Sequence, residues 1–331
     1  MKIRLHVLVL LLVLLSCSGK EKANHDDPVI TTTDSIKNVV VVSFDGSSSL
    51  TMWEDTLQFG KKYDVRFTYF ISAPYFITKE EAEAHQYKRP PRRADDYPIP
   101  WRDSSDRPNI QARVSYVERA VDEGHEIGSH GVYHMKGENW TYEQWEYEMA
   151  LFNKIADEVF SEDVQFHGYR APCFSHNDSM YLVLKKFGYE YDSSFPSSRD
   201  WMVPNVVPVY PLPKLNFQGE SITAMDYNFW VYHQGIKKNS ELKPSYLHEY
   251  KNNKMTGAEV IRLFEESYYQ ALVDGYQAAR KKGFPFYVGN HFELMHQGAY
   301  WRGLQRFIKY AKEEGAEFLT FIQLHRRVHG K

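Results

Sequence analysis

The segment NVVVVSFD, residues 38–45, decides the fold. Its β-branched residues run without polar alternation, as in a strand buried on both faces. The run ends on one carboxylate, Asp45, followed by Gly46. VRFTYFIS, residues 65–72, repeats the signal after a helix expected around residues 49–59. A second helix fits 111–122, with Val114, Val117 and Val121 on one face and Gly124 as its stop. HEIGS, residues 125–129, follows as a short strand. Thr141 with Gln144 then makes a capping-box start for a helix carrying Trp145, Met149, Phe152, Ile155 and Val159 at helical spacing.

The rhythm continues to the end of the chain. VQFHGYRAP (164–172) is a strand and its loop, SMYLVLKKFGY (179–189) a short helix stopped at Gly188, and YEYDSSF (189–195) a strand end. A looser stretch leads to SITAMDYNFWVYH (221–233). Thr256 and Glu259 cap a long helix to about residue 282, closed by Gly283 and Pro285. FYVGNHFE (286–293), a helix over 300–314 and a last strand, EFLTF (317–321), complete the series. Strands alternating with helices imply βα units, hence an α/β fold with a parallel sheet or barrel. One domain spans 38–331, interrupted near 78–108 by KRPPRRADDYPIP and its flanks, which read as a long surface insertion.

The N-terminus reads as targeting. Lys2 and Arg4 precede an apolar run over 7–15 that is too short to span a membrane and fits a secretory signal. Its Leu-Leu-Ser-Cys ending resembles the bacterial lipobox, which makes residues 1–17 a lipoprotein-type signal peptide and Cys17 the acylated anchor. An ordinary signal peptide cut nearby is the alternative. Residues 18–37, polar throughout most of their length, suit a tether. The expected location is outside a bacterial membrane, lipid-anchored on its periplasmic or cell-surface face. Apart from Cys17 the only cysteine is Cys173, so no intrachain disulfide supports the domain. A net charge of −3 with no basic block gives nucleic-acid binding no support.

Polar residues recur at equivalent points of successive units. Asp45 follows the first strand, His130 and His134 the third, Arg170 the fourth, Asp192 the fifth and His291 a late one. In α/β barrels such positions converge on one face, where catalytic groups gather. The set resembles the polysaccharide deacetylases, the NodB-homology group of carbohydrate esterase family four. GHEIGSHGVYH is similar to the second family motif through His130 and His134, with Gly131 where Ser or Thr is usual. GYRAPCFS resembles the third through Arg170 and Pro172, YEYDSSF the fourth through Asp192, and FYVGNHFE the fifth through His291.

The resemblance implies a distorted (β/α)7-type barrel and a hydrolase that removes acetyl groups from sugars with one divalent metal, commonly Zn2+. His130 and His134 would be metal ligands and Asp45 the base that takes the proton of the attacking water. His291 would protonate the leaving group, Arg170 would hold the Asp carboxylate ionised, and Asp192 would orient His291. A simpler role for Asp192 is to cap a turn with Ser193 and Ser194.

The first motif departs from the family's Thr-Phe-Asp-Asp-Gly, because SFDG carries a single Asp. If Asp45 takes the base position, the third protein ligand is missing; if a residue is deleted, Asp45 is the ligand and the base is missing. The ungapped strand favours the first alignment. Glu54, Asp55 and Asp226 are the carboxylates that could substitute. Aromatic residues make up 15% of the chain, and Tyr75, Trp101, Trp201, Trp230 and Trp301 lie near expected barrel-top loops where sugar rings could stack.

Two functions remain open: a metal-dependent deacetylase of an N- or O-acetylated glycan, or a relative that binds carbohydrate without turnover. The anchor is tested separately. Cys17→Ala should move the protein from the membrane fraction to the soluble one on cell fractionation, and continued membrane association would argue against lipidation.

Overall fold

The computed structural model describes residues 36–84, 90, 93, 94, 96, 98–194, 207, 208, 257–292 and 298–329. In chain order its elements are β1 (Val39–Asp45), α1 (Leu50–Tyr63), β2 (Phe67–Ile71), α2 (Lys79–Ala84), α3 (Arg107–Asp122) and β3 (Glu126–Ser129). Next come α4 (Tyr142–Val159), β4 (Phe166–Tyr169), α5 (Asp178–Lys186), β5 (Tyr191–Asp192) and β6 (Val207–Pro208). The chain closes with α6 (Gly257–Lys282), β7 (Phe286–His291), α7 (Ala299–Glu313), β8 (Glu317–Phe318) and α8 (Phe321–His329).

The strands form one sheet in the order β6-β5-β4-β3-β2-β1-β7, with β8 paired to β1. All pairings are parallel except β5 with β6. This is a half-barrel of βα units, the architecture expected from the strand and helix alternation. β7 flanks one side of β1; on the other, β8 pairs with Val39 and Val40, and β2 takes over from Val42.

All seven residues of β1 are buried, and their alternation divides the core in two. Val40, Val42 and Phe44 join the large cluster between sheet and helices, with Trp53, Tyr69, Trp145 and Leu304. Val39 and Val41 join a smaller cluster inside the barrel with Phe70, Tyr191, Tyr287 and Phe321. The next two residues of the inner row are Ser43 and Asp45, so the barrel interior turns from apolar to polar along this one strand.

Helix α8 was not expected, and it closes the apolar end. EFLTF is a strand only to Phe318; Phe321, Ile322 and Leu324 then insert into the inner cluster. Two first-turn amides of α8 are satisfied by β-strand side chains, with Phe321 N donating to Thr68 Oγ1 (3.1 Å) and Ile322 N to Glu126 Oε2 (2.9 Å). The sequence does hold a signal for this helix. Thr320 and Gln323 form a reciprocal capping pair, with Gln323 N donating to Thr320 Oγ1 and Thr320 N to Gln323 Oε1.

The capping box of α4 forms as the sequence predicts, Thr141 and Gln144 each accepting from the other's backbone. Helix α3 starts earlier than residue 111, at Arg107, because Pro108 is tolerated in a first turn. The 78–108 insertion is pinned at its base: Lys79 N donates to Arg102 O (2.7 Å) and Arg102 N to Ile77 O (3.3 Å). Asp96 and Arg93 tie it to the segment after β3, Asp96 accepting from Lys136 N (2.9 Å) and Arg93 pairing with Glu138. The segment 221–233, Thr256, Cys17, Trp201, Trp230 and Asp226 lie outside the described residues.

Phe321 stacks on Tyr287 with ring centres 5.7 Å apart and lies 5.7 Å from Tyr191 and 5.8 Å from Phe70. Phe321→Ala should therefore cost about 3–5 kcal/mol of unfolding free energy in urea titration, the usual range for a fully packed Phe. A loss below about 1 kcal/mol would mean that α8 does not seal the barrel.

Candidate active site

Parallel register carries the polar residues to one end of the sheet. Asp45 is the last residue of β1 and lies opposite His291, the last of β7. His130 follows β3, Arg170 follows β4 and Asp192 ends β5. The structure thus brings Asp45, His130, His134, Arg170 and His291 together, and leaves Asp192 to one side of them.

Arg170 is the centre of the group, only 1% exposed. Its Nη1 donates to Asp45 Oδ1 (2.6 Å), its Nη2 to Ser43 Oγ (3.0 Å) and its Nε to Ser193 Oγ (2.7 Å). The guanidinium lies over the Phe70 ring at 4.2 Å. Burial alone would raise the Asp45 carboxyl pKa, but the Arg170 guanidinium, foremost among nearby charges, reverses this and holds it below its ordinary value. The other oxygen, Oδ2, is 3.9 Å from His291 Nε2.

His130 is buried, and its Nδ1 is 2.8 Å from the Arg170 carbonyl oxygen. A carbonyl only accepts, so Nδ1 carries the hydrogen. Burial lowers the His130 pKa to about 3, with Asp45 opposing, so the ring is neutral and its Nε2 presents a lone pair. That Nε2 is buried with no hydrogen-bond partner. His134 stands beside it, ring centres 5.1 Å apart, on a backbone with φ of +53°.

A histidine whose Nδ1–H is fixed by a carbonyl and whose Nε2 is left open is what a metal ligand looks like. His130 therefore has the form of a metal ligand, and His134 is the neighbouring imidazole that could share an ion with it. No group of three or more His, Cys, Asp or Glu suited to a metal occurs among the described residues. Glu54 does not supply the third, since it pairs with Arg119 of α3 at 2.9 Å.

Three expectations require correction. Asp192 does not orient His291: its Oδ2 accepts from Ser194 N (3.1 Å) and Tyr181 OH (3.4 Å), and its Oδ1 from Ser194 Oγ. It caps the turn that places Ser193 under Arg170. Burial pushes its carboxyl up to about 7, against those donors. Trp301 offers no face to a sugar, because its ring packs in the core against Phe59 and Phe44 at 5.3 and 6.3 Å. Tyr75 is also buried, beneath the Arg102 guanidinium at 4.9 Å.

Trp101 is half-buried, edge-on to Tyr133 at 5.7 Å, and lines a cavity of about 980 Å³ with Lys79, Arg102, Asp103 and Arg113. None of the ionisable residues at the strand ends lines that cavity. Ser43 is a further site residue. Its signal was a lone hydroxyl two residues before Asp45 in an apolar strand.

The family model for polysaccharide deacetylase matches residues 32–191. No curated protein matches the chain in sequence. Among solved structures, the chain is similar to a probable polysaccharide deacetylase from Pseudomonas aeruginosa PAO1, with a TM-score of 0.55 and 15% identity, covering 93% of this chain and 96% of that one. It is similar to a putative polysaccharide deacetylase from Mycobacterium smegmatis (TM-score 0.52, 15% identity, 89% and 91% covered). It is also similar to a Puue allantoinase (0.51, 17%, 93% and 95%). At these identities the similarity is one of fold.

The buried pair sets a pH dependence. Because the Asp45 pKa is lowered on folding, its contribution to stability is present above the unfolded value near 3.9 and is lost as pH falls through the folded one. Arg170→Met leaves the carboxylate unpaired and should cost about 3–5 kcal/mol at pH 7. Urea titrations of parent and variant should converge as pH falls below about 4 and through the lowered folded-state value of Asp45; a gap that widens there would contradict the assignment.

Proposed function

The chain carries a polysaccharide deacetylase domain, and from that premise we propose that it hydrolyses acetyl groups from a glycan, as a metal-dependent enzyme tethered through Cys17 outside a bacterial membrane. One observation carries the chemistry. Asp45, held ionised by Arg170, stands 3.9 Å from His291 and shares the strand ends with a neutral His130 whose Nε2 is unpartnered.

In this mechanism Asp45 Oδ2 takes a proton from the water that adds to the acetyl carbonyl carbon. Collapse of the adduct breaks the bond from carbon to nitrogen or oxygen, and His291 delivers a proton to the departing sugar amine or alcohol. Arg170 keeps the carboxylate ionised and oriented, while the Arg170 carbonyl keeps His130 in the tautomer that offers Nε2. A divalent metal, Zn2+ being the family's common choice, would sit on His130 and His134, polarise the acetyl carbonyl and lower the pKa of water. Trp101, half-buried and edge-on to Tyr133 of the loop from His130 to His134, is the proposed sugar platform.

A second reading, carbohydrate binding without turnover, is favoured by the lack of a third protein ligand among the described residues. Elemental analysis of chain purified without chelators, paired with acetate release from acetylated glycans, separates the two. About one divalent ion per chain is expected for the enzyme, as in other single-metal hydrolase sites. His130→Ala should lose both ion and acetate release. Asp45→Asn should keep the ion and lose about 10²–10⁴ in rate, the range for removal of a general base. Unchanged turnover in His130→Ala would sink the metal mechanism, and a parent chain that takes up no ion would favour the binding protein.

A further inference from the structure

Helix α4 buries an acid that no step above uses. Glu148 is 1% exposed, on the same face as Trp145, Met149 and Phe152, a place where an acid is rare. Its Oε1 accepts from Val132 N (2.6 Å) and from Tyr133 N (3.1 Å). These are consecutive amides of the bridge from His130 to His134, five residues with both histidines included.

The rest of that bridge is tied to its surroundings through the backbone. His130 N donates to Ile71 O (2.8 Å), Gly131 N to Ser129 Oγ (3.2 Å), and Gly131 O accepts from Ala73 N (3.1 Å). The two amides at the middle of the loop are held by Glu148. Gly131 has a φ of +72°, and a Cβ there would lie 2.8 Å from Glu148 Oε1. The carboxylate occupies the space a side chain would need, which gives a physical reason for glycine where the second family motif usually has Ser or Thr. The bridge ends on His134, itself left-handed at +53°, a conformation a non-glycine residue keeps only when its neighbours impose it.

We infer that Glu148 is a positioning residue for the His130–His134 pair: by bridging the Val132 and Tyr133 amides it fixes the loop that sets the separation and orientation of the two imidazoles. The metal-binding consequence rests on the function proposed above; the loop-fixing role does not. Two buried amides need an acceptor at this reach, so the hydrogen bonds, rather than the charge, carry the effect.

The experiment compares Glu148→Gln, Glu148→Asp and Glu148→Met in the full chain. Two quantities are read: amide hydrogen exchange of residues 130–134 without metal, and Zn2+ affinity by competition titration. Gln keeps an acceptor at the same reach and should retain both protection and affinity. Asp keeps a carboxyl group but withdraws it by one methylene, and should lose protection and bind Zn2+ more weakly. Met, with no acceptor, should weaken Zn2+ by about 10–100-fold, as loss of a ligand-supporting group does. Should Met fail to fold, the order of Gln over Asp still decides. Folded Met with parental protection and affinity, or Asp equal to or better than Gln, would overturn the inference. A parent chain that binds no Zn2+ would defeat the proposed function instead, and the exchange order alone would then judge Glu148.

Discussion

The arginine buried beside Asp45 is the constraint on which the polar half of the barrel depends. A guanidinium withdrawn from water costs several kcal/mol unless it is paired and its remaining donors are satisfied. Arg170 meets that demand from two strands, with Asp45 and Ser43 from β1 and Ser193 just past β5, while Phe70 of β2 covers one face. Its backbone carbonyl fixes the His130 tautomer. One residue thereby couples the ionisation of the carboxylate to the availability of the imidazole lone pair. The groups that share these strand ends are interdependent for that reason.

The opposite end of the barrel repeats the theme with the sign reversed. Glu126, at the start of β3, is fully enclosed and accepts from Thr68 Oγ1 (2.9 Å), Tyr191 OH (2.5 Å) and the Ile322 amide (2.9 Å). Burial raises its carboxyl to about 7, against those donors. A carboxylate at this place also suits the positive end of α8. Between the two polar ends lies the aromatic layer of Phe70, Tyr191, Tyr287 and Phe321. Arg170 touches its upper surface, Cζ lying 5.6 Å from the Phe321 ring. Closure by α8 and organisation of the candidate site thus share one stack of rings.

Much of this was legible in the sequence because it depends on local pattern. The apolar run of β1, the Thr141–Gln144 capping box and the polar residues after each strand are all short-range signals, and each element formed where its signal lay. What escaped was set by long-range contacts. Whether Asp192 faces His291 or Ser194 depends on the path of the chain after β5. Trp301 follows a loop, yet the helix it belongs to turns the ring towards Phe44. Glu148 carries no sequence signal of its role, because nothing local says that two amides of another segment need it. The α8 start was readable from Thr320 and Gln323, and was hidden by an apolar pentapeptide that also suits a strand.

The single aspartate of the first motif gives these details their weight. Asp45 Oδ1 is committed to Arg170 at 2.6 Å, and Oδ2 is the atom nearer His291. In our proposal that geometry uses Asp45 as the proton acceptor, and a metal would then have only two imidazoles from the described residues, with the remaining positions taken by solvent or substrate oxygens. Fewer protein ligands mean weaker binding. Each ligand that remains must then be held closer to its bound position before the ion arrives, since the ordering cost is shared among fewer bonds. Rigid support of the loop from His130 to His134 matters more here than it would with a third carboxylate in place. The carboxylate of Glu148, seated against Gly131 and bonded to the two amides between the histidines, supplies that support where the loop most needs it.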